Sequence, residues 1–304
     1  MIRRIRQSQL WAYKECRRKW EFEYVRAIEL NRKGSETKGA RDLGSLVHRL
    51  MEAYYLNQDW RGVHAAELSA LLEAGDLSPE WIDHYEYARI MMEGYGDWIK
   101  ADHQDIGEEI LLVEPQLEAD IGTFHGDTVI FTGKPDIVKR NTASDIIIVE
   151  DHKTTGRIES VMLHAPQGNS YAMLLKMQHG LDVGLFRTNQ LRKVKRTARA
   201  NPPFYGRSEK FVNEAELRNH YWQVKGQLDE MVGLMQYWEY KRDSEIDEYL
   251  QRFYASPGQR CKGCDYAAPC TTINEGGNVE YVIRNFYRPK PVNAFDGSEE
   301  TPDE

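Results

Sequence analysis

The chain has 304 residues, 41% hydrophobic and 29% charged, an ordinary globular composition with ample material for a core. No run of about 18 apolar residues appears, which excludes a membrane-spanning helix, and the basic start "MIRRIRQSQLWAYKECRRKW" lacks an apolar signal core, so an intracellular protein is expected. A net charge of −8 excludes a generally basic nucleic-acid coat protein but leaves room for a local basic groove.

In chain order, residues 8–26 read as a helix, with Ser8 as N-cap and Leu10, Tyr13, Trp20 and Tyr24 at near-helical spacing. "GSETKGARDLG" (34–44) reads as loop and "GSLVHRLMEAYYL" (44–56) as a second helix. A helical, aromatic-rich stretch with a break near "GDLSPE" runs to about residue 103 and is expected to be an insert or lobe, about 56–105, that meets a partner or narrows the site entrance. Then β-branched segments bounded by turn residues predict strands: "EEILLVEPQLEADI" (108–121), "TVIFTGKPDIVKR" (128–140) and "SDIIIVEDHKT" (144–154), with "NTAS" closing the last two into a hairpin. "QGNSYAMLLKMQHG" predicts a helix ending at Gly180, "LDVGLFRTNQL" (181–191) another strand, and 214–252 a long helical stretch. The proline-bearing acidic tail, 289–304, is expected to be disordered. Helix, strands, helix, strand in this order predicts an α/β (α+β) fold, a central mixed sheet flanked by helices, with residues 1–288 as one domain.

Two strands carry the chemistry. If "GKPDIVKR" and "VEDHKTTG" pair as a hairpin with an even loop, Asp136 shares a face with Val149, Asp151 and Lys153, while Glu150 points away. Two carboxylates and an ammonium then meet at a sheet end. Hard oxygen ligands suit Mg²⁺ or Mn²⁺, which polarises a phosphate and acidifies a bound water, and a neighbouring lysine orients that water or balances charge. Solvated strand caps account for the same residues in blander terms. On the following helix Gln167 and Tyr171, four apart, share a face. His48 sits among Leu46, Val47 and Leu50, where a lone histidine is more often structural.

Three of the four cysteines fall in "CKGCDYAAPC" (261–270), and the fourth is Cys16. So few cysteines suggest metal rather than a disulfide framework, and Cys-x2-Cys-x5-Cys plus one distant cysteine lacks the two close pairs usual in a zinc ribbon. Four unligated thiols, or zinc, stay open on ligand chemistry alone.

In order, Gly44 to His48 (G-x-x-x-H), Gly133 to Asp136 (G-x-x-D), Asp151-His152-Lys153 (D-x-K) and Gln167 to Tyr171 (Q-x-x-x-Y) resemble the motifs of the PD-(D/E)XK nuclease superfamily, in its RecB/AddB-like branch that includes CRISPR-associated RecB-like exonucleases. Each motif alone is weak; the ordered set of four is more specific. The resemblance implies a restriction-endonuclease-like core. It implies that Asp136 and Asp151, the backbone carbonyl of His152, and His48 ligate Mg²⁺ or Mn²⁺, with Glu114 a weaker candidate. Lys153 would serve the attacking water and the scissile phosphate, and Gln167 and Tyr171 would position the strand or support the site. It further implies that Cys16, Cys261, Cys264 and Cys270 hold a [4Fe–4S] cluster joining the N- and C-terminal segments, a structural staple bracketing the site residues.

The implied function is a metal-dependent DNA exonuclease of phage or prokaryotic recombination, repair or CRISPR adaptation, cytoplasmic, acting on single strands or duplex ends, with a homo-oligomer or recombination partner protein as further expectations. The alternative is a non-catalytic iron–sulfur-stapled DNA-binding or assembly module on the same fold. Weaker DNA-binding candidates are Arg17 and Arg18, amid Trp11, Tyr13, Trp20 and Tyr24, and the basic run carrying Arg192, Lys193, Lys195 and Arg196. A wet helix face and a solvated loop are their bland counterparts. No Walker A sequence is present, so no helicase is expected within the chain.

Overall fold

The structure is a computed structural model that describes residues 1–31, 40–73, 79–102, 104–159, 165–240 and 246–290. The chain forms two compact units, each assembled from separated segments: residues 1–33, 119–132 and 222–304 in one, and 34–118 and 133–221 in the other.

The second unit is built on a five-stranded mixed sheet of β3 (Glu108–Val113), β6 (Ile137–Asn141), β7 (Ile147–Thr155), β8 (Val183–Arg192) and β9 (Tyr205–Phe211), in the order β3-β6-β7-β8-β9. β6 and β7 are antiparallel, as the predicted "NTAS" hairpin requires, and β7 and β8 are parallel. The crossover between β7 and β8 is α6 (Ala165–His179), which ends at Gly180 with φ +68 as its glycine C-cap predicts. Helix α6 covers one face of the sheet. The other face is covered by α3 (Ala40–Tyr55) and α5 (Pro79–Ala101), with α4 (Trp60–Glu73) beside them.

Helix α3 shows how the sequence divides its surface. Leu43, Leu46, Val47, Leu50 and Met51 recur at three- and four-residue intervals, and all are buried in one cluster with Met91, Tyr95, Ile137 and Leu191. The opposite side carries Ser45, His48, Arg49 and Glu52. α3 starts at Ala40, inside the segment expected to be loop; residues 34–39 of that segment lie outside the described residues. Within 56–105, α4 and α5 are helical as expected, but α5 is part of the core rather than an appended insert, since Ala88, Met91, Met92 and Tyr95 are buried in it.

The first unit holds β1 (Ile2–Arg6), α1 (Gln7–Glu15), α2 (Arg17–Trp20), β2 (Ile28–Leu30), and most of β4 (Leu117–Phe124) and β5 (Asp127–Gly133) in a three-stranded sheet of order β1-β5-β4. It also takes the C-terminal part of α7 (Glu214–Tyr240), then α8 (Ile246–Arg252), α9 (Ala267–Asn274), α10 (Val279–Phe286) and β10 (Tyr287–Pro289), which pairs with β2. Its aromatic core stacks Trp20 on Phe253 and Phe22 on Tyr266, at centroid distances of 6.4 and 5.8 Å.

Several predicted elements are divided. The strand expected at 108–121 breaks into β3 and β4, and that at 128–140 into β5 and β6, in each case at a proline, Pro115 and Pro135, which offers no N–H to a ladder. In each case one half pairs in the three-stranded sheet and the other in the five-stranded sheet. The helix expected at 8–26 starts at Gln7, with Arg6 rather than Ser8 as cap residue. It is interrupted at Cys16, whose backbone is extended (φ −166, ψ 116), and ends in a π-helical turn, Glu21–Val25. The helical stretch 214–252 is described as α7 and α8. Pro289, placed in the tail by sequence, pairs in β10, and residues 291–304 lie outside the described residues.

Candidate active site

The hairpin register puts Ile137 opposite Glu150 and Val138 opposite Val149, so Asp136, one residue before β6, faces Asp151. The expected sharing of faces holds: Asp151 and Lys153 lie on one side of β7, Glu150 and His152 on the other. Asp136 and Asp151 are both buried, at 6% and 3% exposure. The Lys153 ammonium stands 2.5 Å from Asp151 Oδ2. Gln167 Nε2 donates to Asp151 Oδ1 (3.2 Å) and to the Tyr171 hydroxyl (2.8 Å), so the two helical residues expected to support the site touch it directly.

Asp136 is held from two sides: its Oδ1 lies 2.9 Å from His48 Nδ1, and its Oδ2 accepts the His152 backbone N–H. Glu114, just after β3, completes the group. One ligand atom each of His48, Glu114 and Asp136 lies within 4.8 Å of the others. Glu114 takes a left-handed φ of +49, unusual for a residue with a Cβ, while its N–H donates to the Asp136 carbonyl at 2.8 Å. Its carboxylate pairs with Lys134 at 2.6 Å. Gly133 admits the neighbouring helix: a Cβ there would sit 2.9 Å from Leu174 Cδ1 and 3.2 Å from the Tyr171 ring.

The carboxylates are driven apart electrostatically. Burial alone would raise Asp136, but the His48 hydrogen bond and charge, together with His152, pull it down to about 2. Burial raises Asp151, with Lys153 opposing and Asp136 adding to the rise. Burial raises Glu114 against Lys134. Burial opposes charge on His48, yet the Asp136 bond leaves its pKa raised. Neighbouring carboxylates are thus pushed in opposite directions, as they often are at functional sites. The cleft, about 640 Å³, is lined by Gly44, Ser45, His48, Arg49, Glu52, Glu114, Lys134, Lys153 and Thr154. Asp151 Oδ2 is buried, and the Lys153 ammonium is its charge partner. The oxygen donors of Asp136 and Glu114 grouped with the His48 imidazole, with Asp151 adjacent across the hairpin, fit a hard divalent cation.

Behind the sheet lies a second set of charges. Glu150, fully buried, meets Lys139 (3.1 Å), Arg187 (3.2 Å) and Arg207 (3.4 Å), which also pair with Asp105 and Glu108. Arg187 also pairs with Glu209 (2.7 Å), so all three bases are engaged by carboxylates of the protein itself, the pattern of a structural ion-pair network. The His152 ring faces this side, stacked on Tyr55 and bonded at Nδ1 by Asn189 (3.0 Å), and burial lowers its pKa to about 4.

All four cysteines lie in the first unit, and none of them pairs in a disulfide. Cys261 lies within a 3-10 turn, Gln259–Gly263, that Cys264 caps, Cys270 lies in α9, and the break at Cys16 separates α1 from α2. Burial raises the Cys264 pKa, and the nearby Cys16 and Cys261 add to it. Donors face two of the sulfurs: Ser256 N–H to Cys16 Sγ (3.4 Å) and Arg18 Nη1 to Cys270 Sγ (3.6 Å).

The basic candidates are occupied. Arg18 is buried and bonds the Phe253 carbonyl and Asn274, so its guanidinium serves the protein rather than a bound strand. Arg17 lies between the Tyr13 and Tyr254 rings and pairs with Glu230. Lys195 pairs with Asp83, Arg196 stacks on Phe204 at 3.8 Å, Arg192 bonds the Asn201 carbonyl, and Lys193 lies over Tyr87. Sequence reasoning passed over the cleft residues Ser45, Arg49 and Glu52, although they recur with His48 at helical spacing, and Lys134, although it adjoins the Gly133–Asp136 motif.

A family model for the PD-(D/E)XK nuclease superfamily matches residues 4–271. The chain belongs to that superfamily. Its mixed α/β architecture, central sheets flanked by helices, is consistent with the restriction-endonuclease-like fold of PD-(D/E)XK nucleases. No curated protein matches the chain. Among solved structures, the chain is similar to a putative exonuclease from Eubacterium rectale at 9% identity and a TM-score of 0.44, covering 77% of this chain and 80% of that one. It is also similar to an alkaline exonuclease from Laribacter hongkongensis, at 14% identity and a TM-score of 0.31, covering 64% and 91%. The latter enzyme is also known in complex with dAMP, at 15% identity to this chain and a TM-score of 0.31. The family assignment therefore rests on the family model and the PD-(D/E)XK residues.

Proposed function

We propose that the protein is a metal-dependent DNA exonuclease of the RecB-like branch, with residues 1–288 acting as one nuclease domain. The observation that carries this reading is the convergence of Asp136 and Asp151 across the β6–β7 hairpin with Lys153 beside them. His48, Glu114, Asp136, Asp151 and the His152 carbonyl would hold Mg²⁺ or Mn²⁺. An ion held there supplies Lewis acidity to the phosphate and lowers the pKa of water.

The remaining work belongs to the chain. Gln167, anchored on Tyr171, fixes the Asp151 carboxylate; His48 and the His152 N–H fix that of Asp136. Lys153 places a positive charge where the pentavalent phosphate gathers negative charge as a water oxygen attaches to phosphorus and a P–O ester bond breaks. The four cysteines would hold a [4Fe–4S] cluster, with the N–H groups facing Cys16 and Cys270 favouring thiolate sulfur. Recombination, repair or CRISPR adaptation in a prokaryotic cytoplasm or phage-infected host is the setting this reading favours.

End-labelled single- and double-stranded DNA, incubated with anaerobically purified protein with and without Mn²⁺, tests the reading. Metal-dependent shortening from the ends is expected. Binding without any digestion would instead support a non-catalytic DNA-binding module.

A further inference from the structure

The pairing of Lys134 with Glu114 has no part in the mechanism so far. The Lys134 ammonium lies 2.6 Å from Glu114 Oε2, and Glu114 offers one of the three ligand atoms grouped with His48 and Asp136. The lysine side chain is 45% exposed and the glutamate 13%, and both line the cleft that also holds Lys153. The backbone presenting Lys134 is pinned: Gly133 packs against Tyr171 and Leu174, and Pro135 follows. Glu114 in turn is held by its left-handed backbone and its N–H bond to the Asp136 carbonyl. The pair is thus set by two rigid turns rather than by chance meeting of surface side chains.

Building on the nuclease reading, we propose that Lys134 is a positioning residue that guards the metal site: its ammonium occupies Glu114 until a divalent cation takes that carboxylate, and the released ammonium then turns into the cleft toward substrate phosphate. Two like charges cannot share Glu114 at this range without cost, so ion and ammonium compete for it. Once released, Lys134 joins Lys153 along the cleft, where a phosphodiester is its natural counter-charge. Metal and DNA binding are then coupled, and by linkage each strengthens the other by the same factor.

Calorimetric titration with Ca²⁺ tests this on the full-length protein, as wild type, Lys134→Met and Lys134→Arg, each checked for an unchanged melting temperature. Fluorescence anisotropy with a short single-stranded oligonucleotide follows, with and without the ion. Without DNA, Lys134→Met is expected to bind Ca²⁺ about three- to fivefold more tightly, the competition of a partly exposed ion pair having been removed. It is also expected to lose much of the gain in oligonucleotide affinity that the ion confers on wild type, while Lys134→Arg retains both properties. Equal or weaker ion binding by Lys134→Met, with wild type binding normally, overturns the guard and leaves the nuclease reading standing. A wild-type protein that binds no divalent ion overturns both.

Discussion

At Asp151 stability and function pull against each other. Its carboxylate is buried and its ionised form disfavoured, with the Lys153 ammonium as its charge partner. Burying that charge costs the fold stability, which a bound cation would offset. Asp151→Asn is expected to abolish cleavage while melting at or above the wild-type temperature without added metal; calorimetric melting beside a digestion assay checks both. Lys153→Ala should lose cleavage and melt somewhat lower, since it leaves the buried Asp151 carboxylate without its ammonium partner. Retained digestion by either variant would remove them from the site. Gly133 is tuned to its neighbours: an alanine Cβ would press on Leu174 and Tyr171. Gly133→Ala is therefore expected to lower stability by about 1–3 kcal/mol, and to lower the cleavage rate by displacing Tyr171 and with it Gln167; urea unfolding and a rate assay measure the two effects.

Among the elements, β7 is the one on which the two chemistries meet. Asp151 and Lys153 share one face, Lys153 lining the cleft, while Glu150 on the reverse face is neutralised by Lys139, Arg187 and Arg207. These partners depress the Glu150 pKa despite burial. A depressed carboxylate gives stability that is fully present above its unfolded value of about 4.3 and is lost as the pH falls through the folded value. Stability to urea should thus hold near neutrality and decline steadily below about pH 4. Glu150→Gln should flatten that decline, at a cost at neutral pH of about 3–5 kcal/mol for leaving buried cations unpaired.

The same strand shows what the sequence revealed. The facing of Asp136, Asp151 and Lys153 follows from the two-residue repeat and an even hairpin, so it was legible without coordinates. The divisions at Pro115 and Pro135 carried a visible signal but were read through as continuous strands. β1, "IRRIR", and β9, "YGRSEKF", were missed because their polar residues mask the alternation: Arg3 pairs with Asp127, and Arg207 and Ser208 bond inside the fold. Glu114 looked marginal because its place beside His48 and Asp136 comes from a left-handed backbone and a partner 22 positions away, which no local pattern encodes.

For the molecule as a whole, the unit that contains Cys16 closes only when distant parts of the chain meet. β1 pairs with β5, Trp20 stacks on Phe253, and the segment 261–270 lies against residues near Cys16. If the four thiols hold iron–sulfur, Cys16→Ser should yield a preparation lacking the brown absorbance and melting several degrees lower, as expected when a long loop loses its clasp. A preparation of Cys16→Ser with unchanged colour and melting would exclude that ligand set.

The discontinuity of this unit also bears on how the protein is made. The opening strand and helix leave the ribosome without partners, and Trp20 and Phe22 stay uncovered until translation passes Phe253 and Tyr266, a wait on the order of tens of seconds at ordinary elongation rates. A chain terminated early, short of its last hundred residues, would therefore expose greasy aromatic rings at its beginning rather than at its severed end, and chaperone capture or precipitation of such fragments should map to the first thirty residues.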